Sequence, residues 1–119
     1  MSQEIFIDGI GISPDVLTAV VSRFAEEVEG VASVGVKDLA TNLVSMFSTH
    51  APSAAPAVEA RVEGNKLVLT VHVVVFFGYP FKKLAEVIRE AVLRGIDAQV
   101  GVEVERIDVC IDGLVFPKE

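Results

Sequence analysis

Few residues in this chain have the chemistry of a reactive site. Cys110 is the single thiol, and with His72 or His50 and Asp112 it could be drawn as nucleophile, base and orienter. No elbow or glycine-rich nucleophile turn surrounds Cys110. It sits in the alternating run Ile107-Asp-Val-Cys-Ile-Asp112 and reads as a small residue on a strand. Asp108, Asp112, Glu59 and Glu63 offer hard oxygen ligands to a divalent cation, but acids that alternate with apolar residues along strands read as water-facing. The two histidines lie 22 residues apart, without the spacing of metal ligands, and His72 reads as a partly buried polar residue. Gly78-Tyr-Pro-Phe-Lys-Lys83 could set a helix N-terminus and two lysines around an anion, but it reads better as a turn leading into a solvated helix face. These residues assign no catalytic group, no metal ligand and no cofactor.

The elements that carry them are plainer. Val58, Ala60 and Val62 alternate with Glu59, Arg61 and Glu63. Gly64-Asn65 is a pair that tolerates positive φ, and a longer β-branched arm follows, so the stretch from Ala57 to Phe77 is predicted to be a β-hairpin. On its second arm Leu67, Leu69, Val71, Val73, Val75 and Phe77 form a wholly apolar face, whereas Val68, Thr70, His72, Val74 and Phe76 form a mixed one. Val73 to Phe77 is a continuous apolar run that belongs in a central strand and would favour aggregation if exposed.

Around the hairpin, Ile5 to Ile12 is expected as one short or bulged strand broken at Asp8-Gly9. Ser13-Pro14-Asp15 combines a capping hydroxyl, a first-turn proline and an acid at the positive end of a helix dipole. The helix it opens carries Leu17, Val20, Val21, Phe24 and Val28 on one stripe and runs to about Glu29, with Gly30 as its stop. Val31 to Val36 is a weak strand, and residues 37–56 are expected to be a variable loop or short helix, with an Ala/Pro/Ser-rich loop at 51–56. Leu84, Ile88, Val92 and Ile96 recur every four residues, widened by Phe81 and Ala85. They predict a second helix from about Pro80 to about Ala98, passing through Gly95 at a cost of about 1 kcal/mol relative to alanine. A last strand runs from Val102 to about Asp112, with a bulge near Glu105-Arg106 that restores its alternation, and Gly113 to Pro117 is expected as a short apolar tail.

Composition bounds the whole. The chain has 119 residues, about the length of one domain, and 51% of them are hydrophobic, enough for a packed core. Its 17 acids against 10 bases give a net charge of −7, which repels phosphate backbones and anionic lipid headgroups. No apolar run approaches the ~20 residues that span a bilayer, and the N-terminus has neither the basic region nor the apolar block of a signal peptide. A lone cysteine makes no internal disulfide, and these features together point to a reducing cytoplasm.

Two helices with one apolar stripe each and a sheet with one apolar face predict an α+β fold: a two-layer sandwich, its sheet mixed or antiparallel, with both helices on one face. The reverse face then displays Arg61, Thr70, His72, Val74, Phe76, Asp108, Cys110 and Asp112, partly wet and partly apolar, as a candidate interaction face.

Ile10-Gly-Ile-Ser-Pro-Asp-Val-Leu17, Glu26-Glu-Val-Glu-Gly-Val31, the β-rich middle with its Gly-Tyr ending, Gly101-Val102 and Ile107-Asp-Val-Cys-Ile-Asp-Gly-Leu-Val-Phe116 together resemble the alkaline-shock, or envelope stress response, proteins of Gram-positive bacteria. The likeness covers about Ile5 to Phe116 as a single domain of that type. Lys37 to Pro56 lies outside the pattern. The resemblance implies a small non-enzymatic cytoplasmic protein that self-associates and lies at the inner face of the membrane by docking on a membrane-anchored partner. It brings no catalytic residues. A different class, a small ligand- or anion-binding regulatory domain using the open face or the Pro80 helix end, is the alternative.

Overall fold

The computed structural model describes residues 4–35, 45–48 and 56–116. In chain order the elements are β1 (Ile5–Ile7), β2 (Ile10–Ile12), α1 (Pro14–Glu26), β3 (Val31–Val34), β4 (Ser45–Ser48), β5 (Val58–Glu63), β6 (Lys66–Phe76), α2 (Phe81–Gln99) and β7 (Val104–Phe116). The fold is α+β, as expected.

β6 is the centre of the sheet. It is joined to β5 by the predicted turn, in which Gly64 and Asn65 adopt φ of 56° and 63°, the conformation whose twist matches a right-handed hairpin. β3 and β5 follow each other along one side of β6, both antiparallel to it, and β7 lies parallel on the other side, reached through α2. The sheet is therefore mixed. β4 pairs with β7 antiparallel over Gly113 to Phe116.

Both helices cover one face of this sheet. Leu67, Leu69, Val71, Val73 and Val75 are fully buried, and they share the core with Leu17, Val21 and Ala25 of α1 and Leu84, Ile88, Val92 and Ile96 of α2. Burying a leucine, isoleucine or valine is worth ~1.5–3 kcal/mol at most. A one-residue slip of β6 would turn five such side chains out of the core, so the burial pattern fixes the register more strongly than the turn does.

Ser13 caps α1 as predicted, its hydroxyl oxygen accepting from the Val16 amide at 3.2 Å. The helix stops at Glu26, earlier than Glu29, and the chain turns through Gly30 at φ 104° into β3. α2 runs unbroken through Gly95, for a reason the sequence did not disclose. A Cβ at that position would stand 2.3 Å from Cδ2 of Phe24, so the missing side chain is the seat of the α1 ring on α2.

Other expectations are corrected. Ile5 to Ile12 is two paired strands and not one bulged strand, because Asp8 and Gly9 both take positive φ (53° and 82°) and close a tight turn. The side-chain amide of Asn65 donates to Asp8 Oδ1 at 2.7 Å, tying this small hairpin to the β5–β6 turn. Residues 45–48 form a strand where loop or short helix was expected, since four backbone pairings to β7 outweigh a weak helical spacing; the rest of 37–56, apart from Pro56, lies outside the described residues. The apolar tail from Gly113 is the continuation of β7 as far as Phe116. Phe77 and Phe81, expected on the apolar faces, are 59% and 49% exposed; β6 ends at Phe76, and Phe77 stacks on Phe116 with centroids 4.8 Å apart.

Candidate interaction face

The side of the sheet away from the helices is assembled by register. Cα pairing sets Arg61, Val68 and Arg106 in one row, then Glu59, Thr70 and Asp108, then His72 beside Cys110, and then Ser33, Val74 and Gly113. Four of the eight predicted face residues fall in the middle two rows and two, Arg61 and Val74, in the rows that flank them. Phe76, half-buried, follows opposite Val115.

Asp112 joins them through a bulge. β7 pairs Ile111 with Val73 and Gly113 with Val74, so Asp112 is the extra residue. The expected bulge is present too, at Glu105, where Val104 pairs with Leu67 and Arg106 with Val68. An extra residue kinks its strand and re-aims a side chain. Here Asp112 Oδ2 comes within 2.8 Å of His72 Nδ1, while Glu59 Oε2 stands 2.9 Å from Nε2. One imidazole therefore links three strands. An imidazolium donates to both carboxylates, whereas a neutral ring has only one N–H to give. The His72 backbone is held as firmly: its amide donates to the Ala57 carbonyl at 2.9 Å, and its carbonyl accepts from Gly35 at 2.8 Å. His72 thus marks the junction where β3 ends and β5 begins. Gly35, at φ 77°, is the residue that fits there, because a Cβ would meet that of Ala57 at 2.9 Å.

The chemistry of this array is structural. Cys110 neighbours His72, but both ring nitrogens already face carboxylates. Burial, together with the charges of Asp112, Asp108 and Glu59, pushes the Cys110 thiol up, opposite to what an activated nucleophile needs. His50 lies outside the described residues. The four acids considered for a cation do not converge: Glu63 pairs with Arg61 at 2.7 Å, Asp108 with Arg106 at 3.1 Å, and the other two flank His72. Among the described residues no three potential ligands are placed to hold a metal ion.

Exposure divides the face. Arg61 and Asp108 are about half exposed, Thr70, His72, Cys110 and Asp112 are half-buried, and Val74 is fully buried. Val74 is therefore not a surface group, which corrects its place in the expected contact set. Val68 and Val115 on the same side are buried too.

Sequence reasoning missed a groove of about 480 Å³ between the end of α1 and the start of α2, lined by Phe24, Glu27, Glu29, Tyr79, Lys83 and Arg94 among others. Tyr79 donates its hydroxyl to Glu29 Oε2 at 3.1 Å, a bond that pushes the phenol up, helped by desolvation and the Glu29 charge. The Pro80 helix end thus lies beside two carboxylates as well as Lys83, which weakens it as an anion site. No helix among the described residues is long and apolar enough to cross a membrane.

A sequence-family model, the Asp-23 family with its cell envelope-related function, matches residues 3–116. The chain belongs to the alkaline shock protein family. The match spans nearly all of the chain and includes every described strand and helix. A search of curated proteins and a search of solved structures each returned no match. The function attached to the alkaline-shock family is cell envelope-related.

Proposed function

We propose that this alkaline-shock chain is a non-enzymatic interaction protein of Gram-positive cell-envelope homeostasis. It works in the cytoplasm, self-associates, and reaches the inner face of the membrane by docking on a membrane-anchored protein. The observation that carries the reading is the sheet face turned away from α1 and α2. Arg61, Thr70, Asp108 and Phe76 surround the His72 clamp, giving charge, hydrogen-bonding capacity and apolar area on a rigid layer. Such a surface suits recognition of a protein. The raised Cys110 thiol and the occupied His72 nitrogens supply no activated nucleophile, which supports a role without chemistry.

The test is retention on the cell's own membranes. Arg61→Glu and Thr70→Arg alter two accessible positions and leave the core untouched. Each is expected to release the protein from the membrane fraction while keeping its urea midpoint. Unchanged retention in both variants, or a wild-type protein that is monomeric at high concentration and never sediments with membranes, would count against the reading.

A further inference from the structure

The groove between the end of α1 and α2 has two walls of opposite charge. On the α1 side stand Glu27, the last cap of the helix, and Glu29 just beyond it, next to the negative end of the helix dipole. On the α2 side stand Lys83 and Arg94. These two lie eleven positions apart, about three turns or 16 Å along one side of the helix. Between the walls the lining is apolar, with Phe24 and Val28 from the α1 side and Val87 and Ala91 from α2. Val87 is 37% exposed, so α2 carries an apolar side chain outside the core in the middle of this row.

The charges are not spent across the groove. Glu27 pairs with Arg23 on its own helix at 3.7 Å, and Glu29 accepts from the Tyr79 hydroxyl. Among the described residues neither Lys83 nor Arg94 takes part in an ion pair or a side-chain hydrogen bond. Both cations are left to a group that the described fold does not supply.

The occupant follows from this layout. A small anion would meet the carboxylates as well as the cations. A β-strand needs a sheet edge, whereas these walls are helices whose backbone groups already bond within the helix. A helix, about 10 Å across, sends one flank to each wall and its lower face to the apolar lining. A second copy has no such helix to offer among its described residues, because α1 and α2 bury their apolar stripes in the core.

We propose that the groove seats an amphipathic helix of another protein, apolar on the face it buries, basic on the flank toward Glu27 and Glu29 and acidic on the flank toward Lys83 and Arg94. Acids three turns apart on that flank reach both cations. The complementary flanks also fix the direction in which the helix lies. The groove belongs to the helix layer, so this docking is separate from that of the sheet face, and either stands without the other.

Fluorescence titration of the full chain tests it. The chain has one tyrosine and no tryptophan, so Tyr79, in the lining of the groove, alone reports on its occupancy. The probe is an end-capped peptide of about 18 residues, long enough to hold a helix and free of aromatic residues. It carries leucines along one stripe, lysines on one flank and glutamates on the other. In about 0.15 M salt, which screens the net charge of −7 beyond about 8 Å, it is expected to change Tyr79 emission saturably. Two sister peptides, one with lysine on both flanks and one with glutamate on both, should bind roughly tenfold more weakly. Lys83→Glu combined with Arg94→Glu turns both walls acidic. That variant is expected to reverse the order and prefer the lysine-flanked peptide, at an unchanged urea midpoint. Val87→Asp should weaken the binding of all three peptides. The proposal is overturned by the absence of a saturable change up to about 1 mM peptide, by equal binding of the three peptides, or by a preference that the double variant does not reverse. Emission that changes with protein concentration alone assigns the groove to a second copy and overturns it too.

Discussion

At the scale of single residues, the sheet face turns on the environment of His72 and Cys110. The thiol carries a measurable consequence. Its folded pKa lies above that of the unfolded chain, because burial and the charges of Asp112, Asp108 and Glu59 oppose the thiolate. The folded state therefore holds this proton more tightly than the unfolded state does. The contribution to stability is fully present below the unfolded thiol's pKa, about 8.5, and is lost as pH rises through the folded value. Urea midpoints measured from pH 7 upward should fall more steeply above that point for wild type than for Cys110→Ala, and iodoacetamide should label the native thiol more slowly than the unfolded one. Parallel midpoint curves and equal labelling rates would refute this account. The sequence showed that Thr70, His72, Asp108 and Cys110 share a face, because alternation alone sets that. It did not show the clamp: Asp112 reaches His72 through a bulge at its own position, and bulges leave little trace in residue type. Val74 misled because parity names a side of the sheet without saying what covers it.

Among the elements, α1 and α2 were legible from periodic stripes and from the Ser13-Pro14-Asp15 start, and the β5–β6 hairpin from alternation around Gly64-Asn65. Phe81 failed as a stripe residue: it opens its helix and stays 49% exposed. Gly95 was visible as a helical defect, but its purpose depends on a contact with a residue 71 positions away, Phe24, which local pattern does not encode. That contact yields a prediction with a definite sign. Alanine at an exposed helical site gains about 1 kcal/mol over glycine. At Gly95 the added methyl collides with the Phe24 ring, and overpacking of this kind costs roughly 1–3 kcal/mol. Gly95→Ala should therefore lower stability by about 1 kcal/mol. In a Phe24→Ala background the collision is gone, and the same substitution should raise stability by a similar amount. A double-mutant cycle by urea denaturation measures the coupling. Additive effects would mean that the ring does not rest on the glycine.

For the whole molecule, the proposed docking at a membrane has to be squared with an acidic two-layer sandwich. Its net charge of −7 opposes the negative surface of anionic lipids, since each basic residue near such a surface contributes about 1 kcal/mol and acids are repelled. Neither helix offers an alternative: each buries its apolar stripe against the sheet, and none of the described helices can span a bilayer. Apolar side chains such as Phe77 and Phe6 are exposed, but no lipid anchor follows from a few such residues set against that charge. A protein tether avoids the repulsion, because a partner with basic groups meets the acidic surface at short range and over a small area. The protein should therefore fail to sediment with protein-free phosphatidylglycerol vesicles even at low ionic strength, yet sediment with native membranes, and protease treatment of those membranes should abolish the binding. Binding to the protein-free vesicles that weakens with salt would show that the local field overrides the net charge, and the docking partner would then be the lipid surface itself.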